Sequence, residues 1–487
     1  MKKYLYLFSA VVLIVGTIVV YRAAIYDPLE PPAATPTRVD FPVDVQSIGR
    51  RLGESVRFQT ISQQPPAVSD PKPFEDFIAW LEATYPEAHR ALKRERIGGY
   101  SLLFTWTGKD PAAKPVLLTA HYDVVPVLPG TEQQWKQPPF SGTIADGYVW
   151  GRGTLDDKSA VLCMMEAVTH LLAQGFQPPQ TVYLSFGHDE EIGGEQGAGA
   201  VTAHLKAQGV RLAWSLDEGS FVLDGILPTA RPAASINVSE KGYLSLDLIA
   251  RSAGGHSSMP PRETAVGILA EAIVKLQRAP LPGGLEGLTA ESFDTIARHM
   301  SFDKKLLFAN QWLFGGLIDA TLSNSPGTNA TMRTTTAPTM LSGSVKENIL
   351  PIEAIGTINF RLHPRDTPDS VIAYVTKTVN DPRVEIKPRG RAVNASPVAS
   401  SKSPGFAAMA GAVRQVYGDV IVAPGLTIAG TDSKHYETIS DNAYRFNPML
   451  VRPEDLTGFH GTNERISLEN LARALRFYVT LLRDYGA

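Results

Sequence analysis

Residues 185–194, SFGHDEEIGG, follow a run of β-branched, aromatic and aliphatic residues (181–184) that predicts a buried strand. Three consecutive acids, Asp189, Glu190 and Glu191, then end the strand, with no lysine or arginine close by in the sequence. Neighbouring carboxylates repel one another, which opposes folding. The acidic triplet is therefore either a solvated loop or a place where a cation offsets the repulsion.

Predicted strands and helices alternate around this stretch, from residue 45 to about 214. This alternation predicts an α/β domain with a mostly parallel sheet that is covered by helices on both faces. Ligands of open α/β sheets gather beyond the carboxyl ends of the strands. Three predicted strands end at residues that can bind metal: PVLLTAH at His121, TVYLSF before Glu190 and Glu191, and RLAWSLD at Asp217.

Composition excludes several classes of protein. The chain has 487 residues, 44% apolar and 20% charged, so two domains or more are expected. The net charge is −3 and basic residues form no run, so we expect no nucleic-acid partner. The single cysteine, Cys163, excludes an internal disulfide, and its apolar helical surroundings predict an inert core thiol.

The N-terminus predicts a membrane segment. Two lysines, Lys2 and Lys3, precede an uncharged run (4–21) that would span about 27 Å as a helix, enough for a bilayer core. The lysines should stay in the cytoplasm and direct the rest of the chain across. We therefore interpret residues 1–26 as an uncleaved anchor. The alternatives are a cleaved signal peptide, which would release a secreted or periplasmic protein, and a cytoplasmic protein with an incidental apolar start.

The remaining pattern divides the chain into further segments. Residues 27–44 are rich in proline and predict a stiff linker. Near residue 235 the helix–strand alternation gives way to a long alternating stretch, SINVSEKGYLSLDLIARS, followed by a mixture of helices and strands. The predicted order is a first domain over 45–235, an α+β insertion over 236–394, and a tail over 395–487 that completes the first domain.

The candidate chemistry lies in five short segments, which are HYDVVP, GRGTLDDKSA, GHDEEIGG, SLDEGS and FHGTNERIS. Each alone is weak, because a histidine at a strand end is usually structural and two aspartates before a helix usually cap it. Together they form a histidine and carboxylate set that suits zinc, with cobalt or manganese as substitutes, better than calcium.

Spacing suggests how such a site would divide its tasks. His121 and Asp123 are two residues apart in extended chain, so Asp123 can hold the second ring nitrogen of a ligating His121. One acid of the Asp156–Asp157 pair would be shared between two metals. Adjacent Glu190 and Glu191 point in different directions, so one can bind metal while its neighbour takes a proton from water.

These segments, together with GGHSSMPPRETAVGILA, NFRLHP and GTDSKHY, resemble the zinc aminoacylase/carboxypeptidase family, and in particular its carboxypeptidase S and N-fatty-acyl-amino-acid hydrolase/synthase branch. The resemblance covers roughly residues 45–485. It implies a two-zinc amidohydrolase with an α/β catalytic domain and an inserted lid that also serves dimerisation in the family.

Roles follow from the matching motif positions. The resemblance implies that one zinc is held by His121 and Asp217, the other by Glu191 and His460, with Asp156 bridging them through a cis bond to Asp157. It also implies that Glu190 is the general base and that Asp123 orients His121. In the lid, His256 would polarise the scissile carbonyl. The substrate carboxylate would be bound by Asn324, Arg361 and the backbone of Gly430. Arg361 as an ordinary exposed arginine and Asn324 as a turn residue remain open alternatives. His188, His363 and His435 match no ligand position and are expected to be structural.

The predicted activity is cleavage, or in reverse formation, of the amide bond of N-acyl amino acids with a free carboxylate. The alternative is a carboxypeptidase or dipeptidase acting on short peptides, because the acyl pocket is not a motif. A more remote alternative is a membrane-tethered binding module without catalysis, which gives no chemical reason to retain Glu190. The expected partners are this small molecule, the membrane, and a second copy of the chain bound through the lid.

Overall fold

The structure is a computed structural model that describes residues 2–29, 39, 41–63 and 70–484. Most of the predicted linker over 27–44 lies outside the described residues. The described helices are α1 Lys2–Ala24, α2 Val45–Val56, α3 Lys72–Thr84, α4 Pro86–Ala91, α5 Lys158–Ala173, α6 Ala198–Ala207, α7 Ala265–Arg278, α8 Gly287–Ala297, α9 Phe302–Phe308, α10 Gln311–Ser323, α11 Pro326–Met332, α12 Pro368–Val379, α13 Pro404–Tyr417, α14 Ser433–Tyr436 and α15 Leu468–Asp484. Short 3-10 helices cover Glu132–Gln134, Glu190–Ile192 and Leu456–Gly458.

The described strands are β1 Lys93–Ile97, β2 Ser101–Trp106, β3 Val116–His121, β4 Thr143–Ala145, β5 Tyr148–Trp150, β6 Val182–Gly187, β7 Trp214–Asp217, β8 Val222–Leu223, β9 Ala233–Glu240, β10 Gly242–Arg251, β11 Gly255–His256, β12 Thr335–Ser342, β13 Ile349–Leu350, β14 Glu353–Leu362, β15 Val384–Val393, β16 Ile421–Thr427, β17 Ala443–Arg445, β18 Leu450–Val451 and β19 Arg465–Ser467.

The large sheet has the order β1-β2-β6-β3-β7-β17-β9-β8-β18, and β16 also pairs with β9. Its centre, β6-β3-β7-β17, is parallel as predicted. The sheet as a whole is mixed, because β1-β2-β6 and the β17-β9-β8 pairs are antiparallel. The short β1–β2 connection is a hairpin, which allows only antiparallel pairing. The predicted parallel pairing is therefore found in the centre and in the β16–β9 and β18–β8 pairs, whereas the other pairs of this sheet are antiparallel.

Continuous apolar runs explain the core of this sheet. Every residue of β3 is buried, as expected for a central strand covered on both faces. Helix α5 is almost wholly buried and packs between this sheet and α15. Cys163 lies in its centre, where burial raises the pKa of the thiol, so the predicted inert core position is confirmed.

A second, antiparallel sheet, β12-β14-β10-β15, carries helices α7 and α12 around a core of its own. Thr264 caps α7 and Thr367 caps α12, each with a side-chain oxygen that accepts a backbone N–H of the first turn. The predicted domain boundary at 235/236 falls inside β9, a strand of the large sheet, so the second sheet begins only at Gly242. It ends with β15 at Val393, next to the predicted boundary at 394.

Helices α8 to α11 join the two sheets. Helix α8 lies on β16 of the large sheet, and α9 contacts the C-terminal end of α1. Residues Lys3–Ala24 of α1 are long and apolar enough to cross a membrane. The N-terminal segment is therefore one helix whose last turn is docked on this group of helices.

Candidate metal centre

Neighbouring strands bring the predicted ligands to one edge of the large sheet. β3 ends at His121, β7 ends at Asp217, and Glu190 opens the 3-10 helix that follows β6. These three strands are adjacent and parallel, so their carboxyl ends meet, as the sequence pattern predicts. His460 reaches the same place from the loop before β19.

Two groups of side chains form there and share Asp156. In the first, Nε2 of His121 lies 2.9 Å from Oδ1 of Asp156 and 3.3 Å from Oε1 of Glu218. In the second, Nε2 of His460 lies 3.1 Å from Oδ2 of Asp156 and 3.2 Å from Oε2 of Glu191. The atoms of each group lie within 4.8 Å of one another. Asp156 thus offers one oxygen to each group, as a carboxylate between two cations would.

The chemistry of these groups fits cations. Buried polar atoms almost always have a hydrogen-bond partner, yet Oε1 of Glu191 and Oδ2 of Asp217 are buried without one. The mixture of imidazole and carboxylate suits zinc. The peptide bond between Asp156 and Asp157 is cis, as the family resemblance implies. The residues present therefore fit two metal ions per chain.

Glu218 and not Asp217 lies in the group with His121. Oδ1 of Asp217 accepts the backbone N–H of Glu218 at 2.9 Å, which turns this shorter carboxylate towards its own backbone. The longer Glu218 reaches Nε2 of His121 instead. The sequence resemblance alone suggested Asp217, and its unpaired oxygen keeps that prediction open.

Paired variants distinguish the two carboxylates. Because Glu218 contributes an oxygen to the first group, Glu218→Gln is expected to lower the zinc content of the purified protein from about two ions per chain to about one. Asp217→Asn is the matched control and is expected to retain both. Metal analysis of the two proteins gives the answer, and the opposite pattern would assign the ligand to Asp217.

Asp123 supports the centre more extensively than the spacing predicts. Nδ1 of His121 lies 3.0 Å from the backbone oxygen of Asp123 and 3.3 Å from its Oδ1, so the residue predicted to orient His121 contacts the ring through both. The same carboxylate accepts the backbone N–H groups of Glu190 and Glu191, each at 3.2 Å, and the hydroxyl of Ser62 at 2.6 Å. Asp123 therefore fixes both the imidazole and the acidic turn.

Glu190 lies beside the two groups without belonging to either. Its Oε2 is 4.0 Å from Nε2 of His121, and the side chain lines the adjacent cavity. Burial, together with nearby Glu218, raises the pKa of Glu190 well above its usual range. A carboxylate next to a metal centre and facing a cavity is placed to exchange protons, whereas Glu191 is placed to bind.

A buried ion pair that the sequence analysis missed holds the two halves of the centre together. Arg152 donates to Glu464 at 2.6 Å and to the backbone oxygen of His460 at 3.2 Å. Glu464 also accepts the N–H groups of Gly153 and Leu155, just before Asp156. Both residues stood inside quoted motifs, but an arginine and a glutamate about three hundred positions apart give no signal of pairing.

Glu464→Gln is expected to destabilise the fold by about 3–5 kcal/mol, because it leaves Arg152 buried without a charged partner. The measurement is the free energy of unfolding in denaturant, with metal present in excess. Glu469→Gln is the matched control, since Glu469 pairs with Arg473 at the surface and such pairs contribute at most about 1 kcal/mol. Equal effects in the two variants would contradict the proposed role of Glu464.

A cavity of about 960 Å³ opens beside the metal centre. It reaches from Glu190 and His460 to Arg361 and Gly430, so two of the predicted carboxylate-binding positions share it with the predicted base. The guanidinium of Arg361 lies 5.1 Å from the centre of the Tyr243 ring. The apolar lining of the cavity consists of Ile192, Phe221, Tyr243, Val393, Ile428, Ala429 and Phe459.

Two predicted site residues lie elsewhere. Among the described residues that line the cavity, His256 and Asn324 are absent. His256 is exposed on β11, with Nδ1 2.7 Å from the hydroxyl of Ser258. Asn324 is exposed immediately after α10, which matches its alternative interpretation as a terminal or turn residue. A role for either in catalysis stays a prediction.

The remaining predicted structural histidines lie outside both groups. His188 and His363 are buried, and His435 lines the cavity at its rim. Their ring nitrogens contact Ser101 at 2.7 Å, Thr289 at 3.0 Å and the backbone oxygen of Gly193 at 2.9 Å, respectively.

Comparison with known proteins agrees with this centre. Residues 117–484 match the profile of "Peptidase family M20/M25/M40". A probable carboxypeptidase S-like 2 of Dictyostelium discoideum is 39% identical, covering 90% of this chain and 85% of the relative. The N-fatty-acyl-amino acid synthase/hydrolase PM20D1 of Xenopus tropicalis is 38% identical over 84% of this chain and 80% of its own. Carboxypeptidase S of Saccharomyces cerevisiae is 30% identical, over 90% of this chain and 84% of the relative.

Solved structures share the fold. An M20 family metallo-carboxypeptidase, Sso-CP2 from Sulfolobus solfataricus, superposes with a TM-score of 0.63 at 20% identity, over 91% of this chain and 99% of that one. Human carnosine dipeptidase 1 superposes with a TM-score of 0.62 at 17% identity, over 91% of this chain and 98% of that one. With the two side-chain groups and the relatives above, these findings show that the chain is a hydrolase of amide bonds and belongs to peptidase family M20/M25/M40.

Proposed function

We propose that the protein hydrolyses N-acyl amino acids that carry an apolar acyl chain and a free carboxylate, and that it forms the same bond in the reverse direction. The observation that carries the proposal is the cavity, whose lining combines apolar and aromatic side chains with Arg361 and the acids of the metal centre. An amphipathic substrate satisfies both surfaces. Relatives named N-fatty-acyl-amino acid synthase/hydrolase support this assignment, and relatives named carboxypeptidase S support the peptidase alternative.

The proposed mechanism assigns each step to a side chain. Two zinc ions, or cobalt or manganese in their place, held by His121, Glu191, His460, the shared Asp156 and a carboxylate of the Asp217–Glu218 pair, would act as Lewis acids on the carbonyl and lower the pKa of water. Glu190 takes the proton of the attacking water and later gives it to the leaving nitrogen. Arg361 and the backbone of Gly430 hold the substrate carboxylate. His256, delivered by the lid, donates to the oxyanion.

A hydrolysis screen tests the substrate class. N-acyl amino acids of increasing chain length and unmodified dipeptides are compared by kcat/KM. We expect the value to rise with acyl length, because each buried methylene contributes about 0.8 kcal/mol. Higher values for dipeptides than for every acyl amino acid would favour the carboxypeptidase alternative.

Arg361→Ala is expected to lower kcat/KM for free-acid substrates by about ten- to a hundredfold, since a charge-assisted hydrogen bond contributes roughly 1.5–3 kcal/mol. The corresponding amides lack the carboxylate and should lose much less. Arg389→Ala is the matched control, because Arg389 lies on β15 of the same sheet and is not among the described residues that line the cavity. The same loss on acids and amides would make Arg361 structural.

We further propose that α1 is an uncleaved anchor and that the catalytic domain lies outside the cytoplasm. The end of α1 supports this, since Ala23 and Tyr26 are buried against the helices of the insertion. The hydroxyl of Tyr26 donates to Asp294 at 2.6 Å, and the guanidinium of Arg298 lies 4.3 Å from the centre of the Tyr26 ring. Intact mass of membrane-extracted protein should include residues 1–22, whereas a mature chain that starts near Ala24 would identify a signal peptide.

A further inference from the structure

Helix α10 presents an exposed and largely apolar face, at whose edge Asp319 pairs with Arg333 at 3.0 Å. Trp312, Leu313 and Leu317 are 59%, 46% and 55% exposed. Gly316, Ala320, Thr321 and Asn324 continue the same face, at the spacing of an α-helix. A surface helix in water normally turns its charged residues outward, so this face has the character of one that is covered by something apolar.

The start of α10 is attached to the predicted membrane helix. Asn310, the residue before α10, donates through Nδ2 to the backbone oxygen of Val19 at 3.0 Å. Nε of Arg22 donates to the backbone oxygen of Ala309 at 2.9 Å. Val19 itself belongs to the uncharged run of α1. The insertion therefore touches α1 within the segment that would lie in the bilayer.

The depth of this contact follows from helix geometry. Val19 lies two residues before Tyr21, the last residue of the uncharged run, which is about 3 Å along a helix. Asn310 is thus held at the outer boundary of the hydrocarbon if α1 spans the membrane. Trp312 follows two residues later. A tryptophan at that depth, with leucines on the same helical face, is typical of a helix that lies in the membrane interface.

We propose that α10 is an interfacial helix whose exposed face, Trp312, Leu313 and Leu317, is buried in the extracytoplasmic leaflet beside α1. This inference rests on the proposed anchoring of α1. It commits to lipid as the occupant, because the start of α10 is bonded through Asn310 to α1, whose own side chains, such as Ile14, Ile18 and Val20, are exposed and apolar.

The insertion that carries α10 also contacts residues of the large sheet and of the cavity wall. Binding of α10 to the leaflet would therefore fix the orientation of the active site relative to the membrane. Lys241, which lines the cavity, donates through Nζ to the backbone oxygens of Ala330 and Arg333 at the end of α11. Ser292 of α8 donates to the backbone oxygen of Pro424 on β16 at 2.6 Å. An acyl amino acid that partitions into the leaflet would be concentrated on the surface to which the cavity is tethered.

The test uses the full chain reconstituted in nanodiscs. Leu317→Cys carries an environment-sensitive fluorophore, and the native Cys163 is buried and serves as an unlabelled background. Val345→Cys is the matched control, because Val345 is 95% exposed and lies in the segment between β12 and β13, outside α1 and α10. Lipids with a spin label on the acyl chain quench fluorophores that touch them. We expect the label at 317 to lose most of its fluorescence and the label at 345 to lose none.

Each other outcome overturns the inference in a recognisable way. Equal and weak quenching at 317 and 345, in chains that stay in the nanodisc, would show that α10 lies outside the bilayer. The proposed anchoring by α1 would be unaffected by that result. Energy transfer between labels at 317 on two chains, lost when each nanodisc holds one chain, would identify a second copy as the occupant. Release of the chain from alkaline-washed membranes would refute the anchor and, with it, the position of α10. Hydrolytic activity of each labelled protein confirms its folding.

Discussion

Glu190→Gln is expected to lower kcat by about 10²–10⁴-fold while the purified protein retains its metal. Glutamine keeps the size and shape of the side chain but cannot accept a proton. Glu190 lies in neither ligand group, although it lines the cavity next to them. The variant therefore separates proton transfer from metal binding, and single-turnover rates together with metal analysis measure the two effects.

Glu191→Gln is the matched control because it changes the adjacent residue in the same acidic turn. Oε2 of Glu191 lies 3.2 Å from Nε2 of His460, so this variant should lose metal from the second group. Added zinc should restore part of its activity, whereas it should not restore Glu190→Gln. Loss of metal in Glu190→Gln, or a rate close to that of the native protein, would show that the two glutamates have been assigned the wrong tasks.

The part of this site that could be predicted from sequence is the part that follows from local rules. The strands that precede His121 and Glu190 can be recognised in the sequence as short apolar runs. When two such strands are parallel neighbours in a sheet, their carboxyl ends lie close together. The two-residue spacing of His121 and Asp123 was enough to predict their contact. These relations need no knowledge of distant parts of the chain.

Contacts between distant segments could not be obtained in this way. The pairing of Arg152 with Glu464 depends on how the last strand, β19, packs against β5. The choice between Asp217 and Glu218 depends on a single backbone hydrogen bond at the end of β7. The docking of α1 on α9 joins residues nearly 300 positions apart, and neither segment carries a pattern that names its partner.

His256→Ala is expected to be nearly inactive, and pairing this chain with Glu190→Ala decides whether His256 acts in its own chain or in its partner. His256 is exposed on the lid and is absent from the described lining of its own cavity. A histidine that acts on the scissile carbonyl must therefore arrive by closure of the lid or from a second chain. The family resemblance, which implies dimerisation through the insertion, keeps the second route open.

Co-expression of the two inactive chains distinguishes these routes. If His256 serves the partner, a mixed dimer contains one complete site, formed by Glu190 of the His256→Ala chain and His256 of the Glu190→Ala chain. Random pairing makes about half of the dimers mixed, each with one of two sites active, so about a quarter of the native activity should return. The quarter applies to the specific activity of the unseparated mixture. Dimers purified through two different tags, which show that mixed dimers have formed, are all mixed and should reach about half of the native activity.

The control for this experiment pairs His256→Ala with Glu191→Gln, which removes a metal ligand from the same chain's site in which Glu190 lies. Complementation should again succeed if His256 acts between chains, because the defective ligand and the defective histidine still fall in one of the two sites. No recovery in either pair of verified mixed dimers would place His256 in the site of its own chain, reached by closure of the lid. Full activity of His256→Ala alone would remove the histidine from the mechanism, leaving the oxyanion to the metal ions and to groups that already line the cavity.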